Sequence, residues 1–343
     1  MKLPLIATTG GLLCLAAAPV FDTLRFGPEE GTVVTKSFET TFDVALDDMM
    51  VTFNGQDMDP AMMGMDLTEA SMSATILVEV EDEYGPTADG RPATLTRRFE
   101  TLSADFEAGN GESKSENDED LEGATLVFTW DEEESAYRLE TDDEDLDLDE
   151  LSHGAEDMDL RALLPAGDVE EGASWRIAGF ELLSVMWPGV DWPKAEAKLR
   201  EEMDENDVPF DVDEIFGDLM REIDLRCTYD GLREVEGREL QVVELFGELE
   251  HSMELGEAIL EMIRAEAPAE VEMELMVDVE LAAELTGELL WDSESGHFYQ
   301  CNMDLELAFL ANVETEADIQ GNPMSGTAEV EASGILRRRA SAR

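Results

Sequence analysis

The chain has 343 residues, with 84 Asp and Glu against 22 Lys and Arg, for a formal net charge of -62. That charge repels phosphate groups and so excludes nucleic acid and anionic membrane surfaces as partners. Hydrophobic residues make up 43% of the chain, enough to build a packed core, which excludes global disorder.

The first element is a leader. Residues 1–18 read as a signal peptide, with Lys2 as the positive start, an apolar run from Leu3 to Ala18 and small residues near its end. Cleavage after Ala16 or Ala17 fits, because Pro19 disfavours a cut after Ala18. Cys14 lacks the setting of a lipidated cysteine, since Leu13 stands where a small residue is needed. A soluble secreted or periplasmic protein is expected. Its acid-rich, Lys-poor composition resembles that of halophilic or marine proteins, so the carboxylates read first as a solvated surface suited to brine.

Residues 30–152 form a first β-rich half. Within it Met49, Met50, Met58, Met62, Met63, Met65 and Met72 crowd into one stretch. Thioethers are soft ligands and also make pliable apolar surface, so copper binding, a lipid or protein contact, and a loop tucked over a sheet are all open there. Thr125 to Asp131, followed by Tyr137, reads as strand, Trp-Asp, polar turn and aromatic, a hairpin pattern. In the acidic run 141–159, Asp145, Asp147, Asp149 and Glu156 fall at positions 1, 3, 5 and 12 of a calcium-loop register. Glu150, however, stands where the tight turn demands Gly. Weak, diffuse divalent-cation binding is the expectation there.

Residues 153–185 are read as a connector. Leu164, Pro165, Gly167, Val169, Gly172 and Trp175 spell L-P-x-G-x-V-x-x-G-x-x-W. This resembles a phrase in exported acidic β-rich proteins of planctomycete-like bacteria, and the resemblance brings no activity with it. Physically it reads as a turn, a bend and a Trp docked between two halves.

The second β-rich half, 186–336, mixes two periods. Apolar residues recur at helical spacing in about 193–204, 211–225 and 252–265, which are read as helices covering a sheet. In 270–281, Val271, Met273, Leu275, Val277, Val279 and Leu281 alternate with mostly acidic residues, and 302–314 repeats the pattern. Period-2 alternation of that kind is a strand with one apolar and one wet face. Thr286 to Asp292, followed by Phe298, echoes the earlier Trp-Asp hairpin at an offset of 161. Tyr229 with Gly237-Arg238 echoes Tyr84 with Gly90-Arg91. Two related halves follow from these echoes. Residues 337–343 form a basic tail, read as a solvated end. Cys227 and Cys301 make either one disulfide or two buried thiols.

The expected fold is therefore α+β: long antiparallel β-sheets in two related halves with a few packed helices, half-barrel-like. No catalytic motif is present, and His153, His251 and His297 are scattered. Catalytic, cofactor-binding and metal residues are assigned to none, and no cofactor is implied. Three functions remain open. One is a non-catalytic exported binding protein for an apolar small molecule or a protein partner. The second is an acidic envelope or structural protein interacting with divalent cations. The third is a hydrolase with an unrecognised site.

Overall fold

The computed structural model describes residues 24–63, 70–117, 121–144, 146–148, 151, 153–205, 223–257, 259–260, 271–319 and 322–343. The leader assigned to 1–18 lies outside them, as does the helix assigned to 211–225 apart from its last three residues.

Alternation governs the architecture. The first half contributes β1 (Val33–Phe53), β2 (Gln56–Met58), β3 (Ser71–Tyr84), β4 (Thr87–Ala88), β5 (Arg91–Pro92), β6 (Thr94–Ala108), β7 (Ser113–Asn117), β8 (Thr125–Asp131) and β9 (Ala136–Thr141). The connector contributes β10 (Ser174–Ala178), and the second half contributes β11 (Asp224–Val235), β12 (Arg238–Glu254), β13 (Val271–Asp292), β14 (His297–Ile319) and β15 (Asn322–Ala342), the last running on through the tail. In β13, Glu274, Asp278, Glu280 and Glu284 are exposed, whereas Val277, Val279 and Leu285 are buried. At 22 residues and about 3.3 Å per residue, β13 is roughly 70 Å long.

Thirteen of these strands join in one antiparallel sheet with the path β10-β11-β12-β13-β14-β15-β1-β3-β6-β8-β9. This corrects the α+β expectation. The molecule is nearly all-β, and its halves share a single sheet because β15 pairs with β1 from Lys36↔Ala342 to Phe53↔Gly326. Two α-helices occur among the described residues, α1 (Phe180–Met186) and α2 (Trp192–Glu205). Two of the helical stripes gave way to strands where they met a ladder. Residues 224–225 open β11 and 252–254 complete β12, with helix beginning only at 256. The basic tail is also a strand: Arg337, Arg338 and Arg339 are rungs of β15, each with a partner on β1 and on β14.

The two Trp-Asp hairpins share one turn geometry. Asp131 Oδ1 accepts from the backbone of Glu133 at 2.8 Å and of Glu134 at 3.1 Å. Asp292 Oδ1 accepts from Glu294 at 2.9 Å and Ser295 at 3.3 Å. Each turn then closes on a left-handed residue, Ser135 at φ 54° and Gly296 at φ 73°. Glycine is needed at the second because a Cβ there would lie 2.5 Å from the backbone of Gly27, whose N–H donates to Gly296 O at 2.9 Å. The shorter turns Asp89-Gly90 and Glu236-Gly237 likewise match, with both residues at positive φ, the two-residue loop that fits strand twist.

One hydrophobic cluster draws residues from both halves and from the connector, including Leu151, Met158, Leu160 and Leu163. The connector runs along the inner face of the sheet. There, Arg97 on β6 donates to the carbonyls of Ala155 and Glu156, at 3.0 and 2.8 Å. Trp175 on β10 donates to Leu163 O at 3.2 Å.

Candidate apolar ligand site

The helix α1 lies over the inner face of the second half. It buries Leu182, Val185 and Met186, a spacing of three and four that puts all three on one side. Trp187 follows and meets Trp192 edge to face, ring centroids 5.5 Å apart. Between them the chain turns at Pro188-Gly189. Gly189 has φ 81°, and a Cβ on it would press on Met158 at 3.0 Å.

Below this helix the strand register lays down a continuous apolar row: Leu225, Gly247, Leu285, Leu305, Leu336 and Phe42 are cross-strand neighbours in succession. The next inward row runs Leu249, Ala283, Leu307 and Gly334. Gly247 and Ala283 are small where their neighbours are large, so the short helix does not fill the space. A cavity of about 320 Å³ remains, walled by the β11–β14 members of these rows together with Leu182, Met186, Trp187 and Trp192. Its lining is almost wholly hydrocarbon, with Asp224 and Glu248 among its bordering residues. On the far side of Trp187 lies a second chamber of about 430 Å³, bordered by Phe38, Ile76, Val78, Leu102, His153 and Arg338. Trp187 lines both chambers.

A buried ionic cluster fixes the connector against the first half. Lys36, Asp82, Arg97 and Asp159 are all 0% exposed. Lys36 Nζ lies 2.7 Å from Asp82 and 2.7 Å from Asp159. Arg97 grips Asp82 through two bonds of 2.8 and 2.9 Å, the bidentate geometry that makes such pairs strong. The Tyr84 hydroxyl donates to Asp159 at 2.6 Å. Burial pushes the Asp82 carboxyl upward, but Arg97 and Lys36 more than offset this and hold it below its ordinary value. Nearby, burial drives Glu156 up to about 7 against the pull of Arg161. With cations and anions in equal number and all four side chains buried, the cluster ties the connector to the first half.

The other residues singled out from the sequence do not converge. Met62 is 82% exposed on a 3-10 turn at Pro60–Met63, with Met65 outside the described residues. Met50 pairs with Glu329, six residues or roughly 20 Å along β1 from Val44, whereas Met72 pairs directly with Val44, so the methionines are spread along the strand. Asp145, Asp149 and Glu150 lie outside the described residues, while Glu156 is buried in an ion pair with Arg161. Among the described residues no group of three or more His, Cys, Asp or Glu side chains is gathered for a metal. His153 borders the second chamber, and His251 sits in β12 opposite Leu281. His297 is buried at the start of β14, where its Nδ1 donates to Phe298 O at 2.7 Å. Cys227 and Cys301 are free thiols, both buried. Burial raises each to about 12.

No family model and no curated protein matches the chain. Among solved structures it is similar to Pseudomonas aeruginosa OccK2 (OpdF) in complex with glucuronate, at 6% identity over 90% of this chain and 98% of that one, with a TM-score of 0.18. It is also similar to a mutant Rh. blastica porin, at 8% identity over 90% and 100%, with a TM-score of 0.17. Likenesses this weak fix neither fold nor function. Among the described residues no helix is long and apolar enough to cross a membrane, which leaves spanning strands undecided.

Proposed function

We propose that the protein is an exported, non-catalytic binding protein that carries an apolar ligand between α1 and the inner face of β12–β14. The observation that supports this reading is the cavity under Leu182 and Met186, whose walls are hydrocarbon and which the short helix leaves unfilled. Its volume is in the range of small-molecule sites, which are concave, mostly apolar and largely preformed. The outward strand faces suit a soluble carrier. Glu274, Asp278, Glu280 and Glu284 fill four of the six outward positions of β13 from 274 to 284, a pattern costly against lipid and harmless in water. The leader would deliver such a carrier to the periplasm or the medium.

The test is a titration with N-phenyl-1-naphthylamine, an uncharged apolar fluorophore, against the wild type and Ala283→Phe. Ala283 sits on the inward row and lines the cavity, so a phenyl ring there fills the space. Saturable fluorescence enhancement is expected with the wild type, weakened at least about tenfold in the variant. No enhancement with the wild type, or equal binding to both, would rule the site out.

A further inference from the structure

The run Arg337-Arg338-Arg339 divides across the sheet. Arg337 reaches Asp43 at 3.2 Å and Arg339 reaches Asp304 at 2.8 Å, both on the outer side. Arg338 points inward and is 2% exposed. Its Nη1 donates to the carbonyl of Met186 and, at 3.3 Å, to Thr40 Oγ1. Its Nε has no hydrogen-bond partner among the described residues. Burial pushes the guanidinium down to about 10 against the Cys301 thiol, and among the described residues it faces the Phe38 ring, 5.1 Å to the centroid, and no bonded carboxylate.

Arg97 shows what this chain does with a structural arginine. It is equally deep, and Asp82 meets two of its nitrogens and holds its guanidinium above the ordinary value. A buried cation without a counterion is among the most destabilising features a fold can hold. With 84 carboxylates in the chain, the lack of one bonded to Arg338 among the described residues is no matter of supply. The placement is informative too. Arg338 is on the wall of the second chamber, and the residue it binds, Met186, lines the first. The one inward cation without a hydrogen-bonded carboxylate among the described strands thus lies on a chamber of mixed lining, which also carries Glu116 and Asn117 and shares Trp187 with the apolar cavity.

We propose that the ligand is a single-chain amphiphile with an anionic head, its carboxylate or phosphomonoester seated on Arg338 and its hydrocarbon chain under α1. This rests on the apolar site of the preceding section and adds the chemistry of the head. A free amphiphile suits the molecule better than a bilayer surface. The acidic exterior repels anionic membranes, whereas Arg338 is 2% exposed and faces the chamber.

The test is displacement of N-phenyl-1-naphthylamine at pH 8 by palmitate, hexadecanol and 1-palmitoyl-lysophosphatidate. Palmitate or lysophosphatidate is expected to compete at least about tenfold better than hexadecanol, and the better of the two anions identifies the head. Arg338→Met should erase that preference, and Arg338→Lys should keep part of it. Equal competition by all three compounds against the wild type would overturn the assignment with no variant needed. So would an anion preference that survives in Arg338→Met. If the fluorophore itself fails to bind, the apolar site falls first, an outcome distinct from losing only the head.

Discussion

Removing Asp82 is the sharpest test of what holds the connector inside the sheet. Its carboxylate takes two bonds from Arg97 and one from Lys36, with all three side chains fully buried. In Asp82→Ala, Lys36 keeps Asp159 at 2.7 Å, but Arg97 is left bonded to the carbonyls of Ala155 and Glu156 and to no carboxylate. Breaking a buried pair by deleting one partner costs about 3–5 kcal/mol, because the stranded charge stays desolvated. With an m-value of roughly 3 kcal/mol per molar urea, the unfolding midpoint should fall by about 1 M or more. Equilibrium unfolding followed by tryptophan fluorescence reads this directly, since Trp291 is wholly buried. A matched double variant, Asp82→Leu with Arg97→Met, removes both charges and should recover most of the loss, as apolar replacements of buried pairs do. The reasoning is refuted if the single variant unfolds within about 0.3 M of the wild type, or if the double variant is the weaker of the two.

Other consequences follow from charge and burial. The melting temperature should climb with NaCl from low to molar concentration, because screening relieves repulsion among the acidic outer faces; a flat response contradicts this. Cys227 and Cys301 should resist a thiol reagent in the native protein and both react in denaturant, given burial and thiols raised to about 12; fast native labelling of either places it elsewhere. For Glu156, the folded value of about 7 exceeds the ordinary 4.5. The folded state therefore holds the proton more tightly, and stability drains away as pH rises from 4.5 to 7, fully lost above 7. The loss amounts to at most about 3 kcal/mol. Glu156→Gln should flatten that fall in a pH series of melting curves, and an unchanged slope counts against the assignment.

Much of the sheet was written in the alternation of β13 and β14, because a strand buried on one face must repeat every second residue. The Trp-Asp hairpins were equally legible, since Asp131 and Asp292 each cap their own turn through bonds to the next few amides. What alternation could not convey was which strands become neighbours. The row Leu225, Gly247, Leu285, Leu305, Leu336 exists only through register, so the cavity left by its small members was invisible. The helical stripe at 252–265 misled at its start because its first residues serve the β12 ladder equally well. The tail misled because Arg337-Arg338-Arg339 looks solvated until parity is considered. A usable signal was present all the same. Lys36 sits between Val34 and Phe38, Asp82 between Val80 and Tyr84, Arg97 between Leu95 and Phe99, and Arg338 between Leu336 and Ala340. Each is one charge on an otherwise apolar parity, and each is buried.

Those four inward charges separate structure from function. Three of them neutralise one another, with Asp159 as the fourth partner, and tie the connector down. The last has no counterion among the described residues. The fold therefore tolerates two destabilising features close together: an apolar space that no side chain fills, and a guanidinium that no carboxylate meets. Each alone costs stability, the first through lost packing and the second through desolvation. A chain already strained by a net charge of -62 gains nothing from either unless something else supplies the missing atoms. Local rules broken without an internal compensation tend to mark functional sites. An amphiphile with an oily chain and an anionic head would relieve both at once. Because it binds only the folded state, saturating palmitate should raise the melting temperature of the wild type, by about 2.7 kcal/mol of stability at a hundredfold excess over Kd. In Arg338→Met the uncompensated cation is already gone, so the ligand-free protein should melt higher than the wild type and gain less from palmitate.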